Sequence, residues 1–107
     1  MGGLRWGVDR GVVEVDGEVD AAAAQIFAAA LDVCNDDTVI AALDLTRVSF
    51  FSAAGVRCFV DCGWTTEAHP LIIASPAVRR VLTLCDLDFL LERHGWTGGS
   101  VWPTRVA

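Results

Sequence analysis

The sequence predicts a single α/β domain, a mixed sheet of four or five strands with helices packed mainly on one face. Three observations carry this. Two short β-type runs meet at a glycine turn near the start, two later runs are apolar on both faces, and segments with three- and four-residue apolar spacing alternate with them. With 107 residues there is room for one hydrophobic core. An apolar share of 53% against 21% charged argues for a folded chain rather than a disordered one.

Leu4 to Val8 and Val12 to Val15 read as a hairpin around Asp9-Arg10-Gly11. After Gly17-Glu18-Val19-Asp20 comes an alanine-rich stretch. From Ala23, Ile26, Phe27, Ala30, Leu31 and Cys34 fall on one helical face, with Asp20 placed to cap the first turn and Asn35-Asp36-Asp37 to end it. Thr38 to Leu45 is apolar until Asp44, the pattern of a strand covered on both faces, and Leu71 to Ala74 is a second of the same kind. Between them a helix is expected from about Ala53 to Thr66, with Val56, Phe59, Val60 and Gly63 on one face. Strand, helix and strand in that order imply a crossover onto a parallel pair. Ser75-Pro76 opens another helix, serine as cap and proline in the first turn, with Val78, Val81, Leu82 and Cys85 as its buried stripe. Leu87 to Leu91 is expected as a last short strand.

The formal net charge is −6, and all eight basic residues are arginines without a basic stripe, so nucleic acid is not an expected partner. The lack of lysine beside abundant alanine, valine, glycine and arginine fits a GC-rich bacterial gene. No secretory pattern opens the chain and no apolar run approaches the length of a membrane span, so a cytoplasmic location with reduced thiols is expected and no membrane partner.

Several motifs in this order resemble the STAS domain family (sulfate transporter and anti-sigma factor antagonist). Gly17-Glu18-Val19-Asp20 is similar to the family's Gly-x-Leu-Asp before its first helix. Asp44-Leu45-Thr46-Arg47-Val48-Ser49-Phe50-Phe51 is similar to its Asp-Leu-Ser-x-Val-x-Phe-Ile segment. Ser75 to Leu82 resembles its third-helix opening, and Leu87-Asp88 its Gly-Leu-Asp ending. The resemblance runs from about Val12 to Leu91. It implies a STAS-like domain over residues 1–91, with residues 92–107 as an irregular tail in place of the usual last helix.

In that family the anti-sigma factor antagonists bind an anti-sigma factor with a serine-kinase fold. Phosphorylation of a serine at the start of the second helix, within Asp-Ser-x-Gly-Leu, switches the binding. A phosphate adds about −1.5 to −2 charges where a partner must dock. The matching stretch here is Ser52-Ala53-Ala54-Gly55-Val56, with Ser52 in place of the aspartate and Ala53 in place of the modified serine. The resemblance therefore implies a partner-binding site at Asp20, Ser52, Ala53, Ala54, Gly55 and Val56 that lacks the usual switch.

Each of these residues has a plainer reading. Ser52 is either a helix cap or a relocated phosphorylation site, with Ser49 a further candidate. Asp20 is a cap or a contact, and Gly55 serves either close packing or the partner-facing end. Cys58 and Cys62 share a helical face, but no Cys-x-x-Cys occurs and neither His69 nor His94 has a second histidine at ligand spacing, so no metal is expected. Nothing places a histidine beside Ser52, and Gly95-x-x-Gly98-Gly99 precedes no lysine-bearing helix, so neither a catalytic set nor a cofactor is expected. Trp96 and Trp102 either anchor an interface or fold back onto the domain. Two other roles stay open: a STAS-like subunit of another complex, such as a transporter ATPase, and a sensor holding a nucleotide or small molecule near Asp20 and Ser52. Self-association into a homodimer also stays open.

Overall fold

The computed structural model describes residues 3–92. The elements are β1 (Leu4–Asp9), β2 (Val12–Val19), α1 (Ala24–Asp36), β3 (Ala42–Phe51), α2 (Ala53–Asp61), β4 (Leu71–Ala74) and α3 (Pro76–Leu84), with 3-10 turns at Ala21–Ala23 and Asp88–Leu91. The strands form one sheet in the order β1-β2-β3-β4. The first pair is antiparallel and the other two are parallel, so the sheet is mixed.

The hairpin turns as expected. Arg10 and Gly11 both have positive φ, 55° and 80°, the two-residue geometry whose twist suits the flanking strands. Strand β2 runs on past Val15 to Val19, with Gly17 taking the place of a valine between the acidic Asp16 and Glu18. Val13, Val15 and Val19 are buried under the helices, as are Leu43, Leu45 and Ile72 of the neighbouring strands. On the other face Glu14 is exposed, Asp16 and Asp44 are half-buried, and Ile73 is 40% exposed. The two strands expected to be covered on both faces are thus covered on one.

Strand β3 does not keep a simple two-residue period. Its pairing with β2 shifts between Glu14 and Asp16 and again between Gly17 and Glu18, each time with an extra residue on the β3 side. Every such insertion exchanges the inward and outward faces. Leu43 and Leu45 point inward, then Val48, then Phe51, all buried. At the first shift the Asp44 carboxylate accepts hydrogen bonds from the Thr46 amide at 2.9 Å and the Thr46 hydroxyl at 2.7 Å. This closes an aspartate turn inside the strand.

Several boundaries differ from expectation. Strand β3 begins at Ala42 rather than Thr38, because Asp37 accepts from the Val39 amide at 2.9 Å and turns the chain, leaving Val39 72% exposed. Helix α2 stops at Asp61, short of Thr66. Gly63 takes φ 83°, its amide bonds Val60 O, and the Trp64 amide bonds Phe59 O at 2.9 Å. That pair of bonds is a standard helix stop, reinforced by apolar contact between its end residues, here the Phe59 and Trp64 rings at 5.2 Å. Helix α3 stops in the same way, with Asp86 at φ 60° and the Leu87 amide on Leu82 O at 2.7 Å. The chain then enters the Asp88–Leu91 turn instead of the expected last strand. Ile26 and Val60, expected on the apolar faces of their helices, and Cys85, expected in the buried stripe of the last helix, are exposed.

The core centres on three rings. Phe27 of α1 meets Phe51 of β3 and Phe59 of α2 edge-on, at centroid distances of 5.7 and 5.5 Å, geometries that aromatic quadrupoles favour. At the far side Trp64 is buried and stacks on the buried His69 at 5.0 Å. Phe59→Ala should cost about 3–5 kcal/mol by opening a cavity between α1 and α2, read as a lowered urea midpoint.

Burial pushes the Cys34 thiol up to about 12. Burial, and then the nearby Asp32 carboxylate, pushes Cys62 up to about 11. The folded state therefore holds these protons more tightly than the unfolded chain, whose thiols ionise near 9. This contribution is complete below about pH 9 and should be lost as pH rises towards 11 and 12, seen as a falling melting temperature that Cys34→Ala flattens.

Candidate functional site

Because β2, β3 and β4 are parallel, all three end on the same side of the sheet and each feeds a helical segment there. The residue just after each strand caps that segment. Asp20 Oδ1 accepts from the Ala23 amide at 2.9 Å. Ser52 Oγ accepts from the Ala54 amide at 3.2 Å. Ser75 Oγ accepts from the Val78 amide at 3.3 Å. Each satisfies an amide that the first helical turn leaves without a backbone partner.

Asp20 and Ser52 are neighbours because Val19 pairs with Phe51, and the Ser52 amide donates to Val19 O at 3.0 Å. Asp20, Ser52, Ala54 and Val56 are half-buried, and Ala53 is exposed at the start of α2. Val56 also packs against the core cluster. Gly55 is buried, and a Cβ there would lie 2.5 Å from Cε1 and Cζ of Phe51. The lack of a side chain at 55 therefore lets the first turn of α2 rest on the Phe51 ring, which in turn packs on Phe27 and Phe59.

Ser75 lies deeper, because β4 pairs with β3 only as far as Ala74 with Leu45. Its hydroxyl donates to Val48 O at 2.7 Å, a carbonyl of β3 beyond the end of that ladder. The cap at Ser75 is legible in the sequence, whereas this second bond, which ties α3 to the bulged part of β3, is not. The turn at Asp44 has a local signal, since an aspartate can accept from the amide two residues on.

Other candidates lie elsewhere. Cys58 Sγ donates to Ala24 O at 3.3 Å, between α1 and α2. Cys62 Sγ faces Asp32 Oδ1 at 3.8 Å. Ser49 Oγ is 3.4 Å from Gly17 O. His69 is at the opposite end of the sheet from Ser52, where its Nδ1 lies 2.7 Å from Pro70 O and its ring lines a hollow of about 580 Å³. Residues 93–107, including His94, Trp96 and Trp102, lie outside the described residues, as does the tail expected over 92–107 apart from Glu92. Among the described residues no helix is long and apolar enough to cross a membrane.

Replacing Gly55 by alanine should press a methyl into the Phe51 ring and destabilise the fold by about 1–3 kcal/mol, read by thermal or urea unfolding. Loss of the Ser52 cap in Ser52→Ala should cost about 1 kcal/mol by the same measurement.

The family model of the STAS domain matches residues 7–101, nearly the whole chain. The crystal structure of an anti-sigma factor antagonist from Mycobacterium paratuberculosis is similar at 26% sequence identity, covering 90% of this chain and 87% of that one, with a TM-score of 0.62. No curated protein matches.

Proposed function

The chain belongs to the STAS domain family, and from that premise we propose that it is a non-enzymatic regulatory module of a bacterial cytoplasm, binding a kinase-fold anti-sigma factor in the manner of an anti-sigma factor antagonist. The similarity to a protein of that description supports the reading. The observation that carries it is the exposed start of α2. Ala53 presents a small apolar surface beside the capped amides of the first turn and close to Asp20, with no hydroxyl at that position.

The chemistry of that edge suits docking of a macromolecule. Small side chains at Ala21, Ala22 and Ala53 are exposed, so a partner can approach the backbone closely. The hydroxyl nearest the helix start, on Ser52, is half-buried and engaged with the Ala54 amide. In this proposal a kinase finds no freely presented serine at the tip, and binding is set by the abundance of the partners rather than by phosphorylation.

Two outcomes test the reading. Ala53→Glu places a charge where the partner seats and should weaken binding to a kinase-fold anti-sigma factor of the same genome at least tenfold, measured by calorimetry, with the melting temperature nearly unchanged. Incubation with that factor and ATP should leave the intact mass unaltered. A stoichiometric phosphate that Ser52→Ala removes would instead show that the switch has moved by one residue.

A further inference from the structure

The face of the sheet turned away from the helices carries an unusual load for a central strand. Glu14, Asp16 and Glu18 alternate with inward valines and glycine along β2, so all three point to that face. The pairing sets Glu14 directly beside Asp44 of β3, a like-charge arrangement that is unfavourable on adjacent strands. One row further on, Asp16 lies between Arg5 and Arg47, with Arg5 Nη2 at 3.7 Å. Glu14 and Asp44 have no cation within ion-pairing distance among the described residues. These residues line a hollow of about 370 Å³.

The last row before the docking edge pairs Glu18 with Phe50. Phe50 is 49% exposed, although it directly precedes the buried Phe51. It faces outward because the second shift of β3 cancels the first and returns Phe51 to the inward side. A phenyl ring beside the Glu18 carboxylate, unpaired among the described residues, with the likewise unpaired row of Glu14 and Asp44 further along the same face beyond Arg5, Asp16 and Arg47, complements a segment carrying both an apolar side chain and positive charge. Buried aromatic anchors dominate protein interfaces, and charge complementarity sets approach and register.

We infer that the open face of the sheet is a docking surface for a cationic segment of the protein partner, with Phe50 as its apolar anchor and Glu14, Asp44 and Glu18 as its charge complement. This rests on the reading of the chain as a partner-binding module and extends that interface from the start of α2 around the edge, since Phe50 is two residues from Ser52. A second copy of this chain is disfavoured as occupant, because its own open face is acidic.

The experiment uses the full chain, with two probes. The first is a purified kinase-fold anti-sigma factor of the same genome, titrated against wild type, Ala53→Glu, Phe50→Ser and Glu18→Arg, each checked for fold by circular dichroism. The expected result is a loss of at least tenfold in affinity for all three variants, with wild-type binding weakening as salt rises. Loss in Ala53→Glu alone would overturn the inference and leave the proposed function standing. No binding by wild type would remove the proposed function and pass the decision to the second probe.

That probe is a twelve-residue peptide of alternating arginine and leucine, titrated into isotopically labelled protein. Amide shifts concentrated at Glu14, Glu18 and Phe50 and abolished by Phe50→Ser support the inference, and shifts absent or scattered over the helices overturn it. Contacts from the Phe50 ring to Trp96 or Trp102 in the free chain would also overturn it, by making the chain's own tail the occupant. A Phe50-dependent dimer would do the same.

Discussion

Strand β3 carries extra residues relative to β2 at two points, and the Asp44 carboxylate closes the first of them by accepting from both the amide and the hydroxyl of Thr46. In a strand of strict alternation, Leu43 and Leu45 would place Phe51 inward but leave Val48 outward. The two shifts instead bring Leu45, Val48 and Phe51 in turn onto the helix-covered face. Phe50 is correspondingly left outside. The face to which Val48 turns depends on the first shift, and the second restores the orientation of Phe50 and Phe51.

Burial of Phe51 then connects the core to the edge. Its ring contacts Phe27 and Phe59 beneath, while Gly55 rests on it from above. The start of α2 is therefore seated on the aromatic core, rather than suspended on a loop. Ser75 braces the same region from α3 by donating to Val48 O. Strain from a larger residue at 55 would press on the Phe51 ring and act on the first turn of α2, which carries the exposed Ala53. In the proposed docking role, an edge held this way is largely pre-organised, which reduces the ordering cost of binding.

The edge and the open face differ in chemistry. The edge presents small side chains and capped helix starts, with Asp20 as the carboxylate beside them. The open face presents the β2 carboxylates and Asp44, two arginines beside Asp16, and the exposed Phe50 ring. Four carboxylates against two arginines give this face a negative balance, on a surface contiguous with the candidate site. Such a field accelerates encounter with a positively charged surface and discriminates against an acidic one.

Local signals were legible in the amino-acid order. The Arg10-Gly11 turn, the caps at Asp20, Ser52 and Ser75, the proline-opened α3, and the apolar stripe of Phe27, Ala30, Leu31 and Cys34 each depend on neighbours within a few residues. The family resemblance was legible for the same reason, since its motifs are these turns and caps. The ends of α2 and α3 are local too, but their signals, a positive φ at Gly63 and Asp86, compete with an apolar periodicity that continues past them. Only the tertiary structure decided that Val48 faces the core, that Gly55 lies against a ring, and that Ser75 reaches Val48. Those outcomes turn on the register between strands far apart in sequence, and period counting along one strand carries no information about an extra residue that only its partner strand reveals.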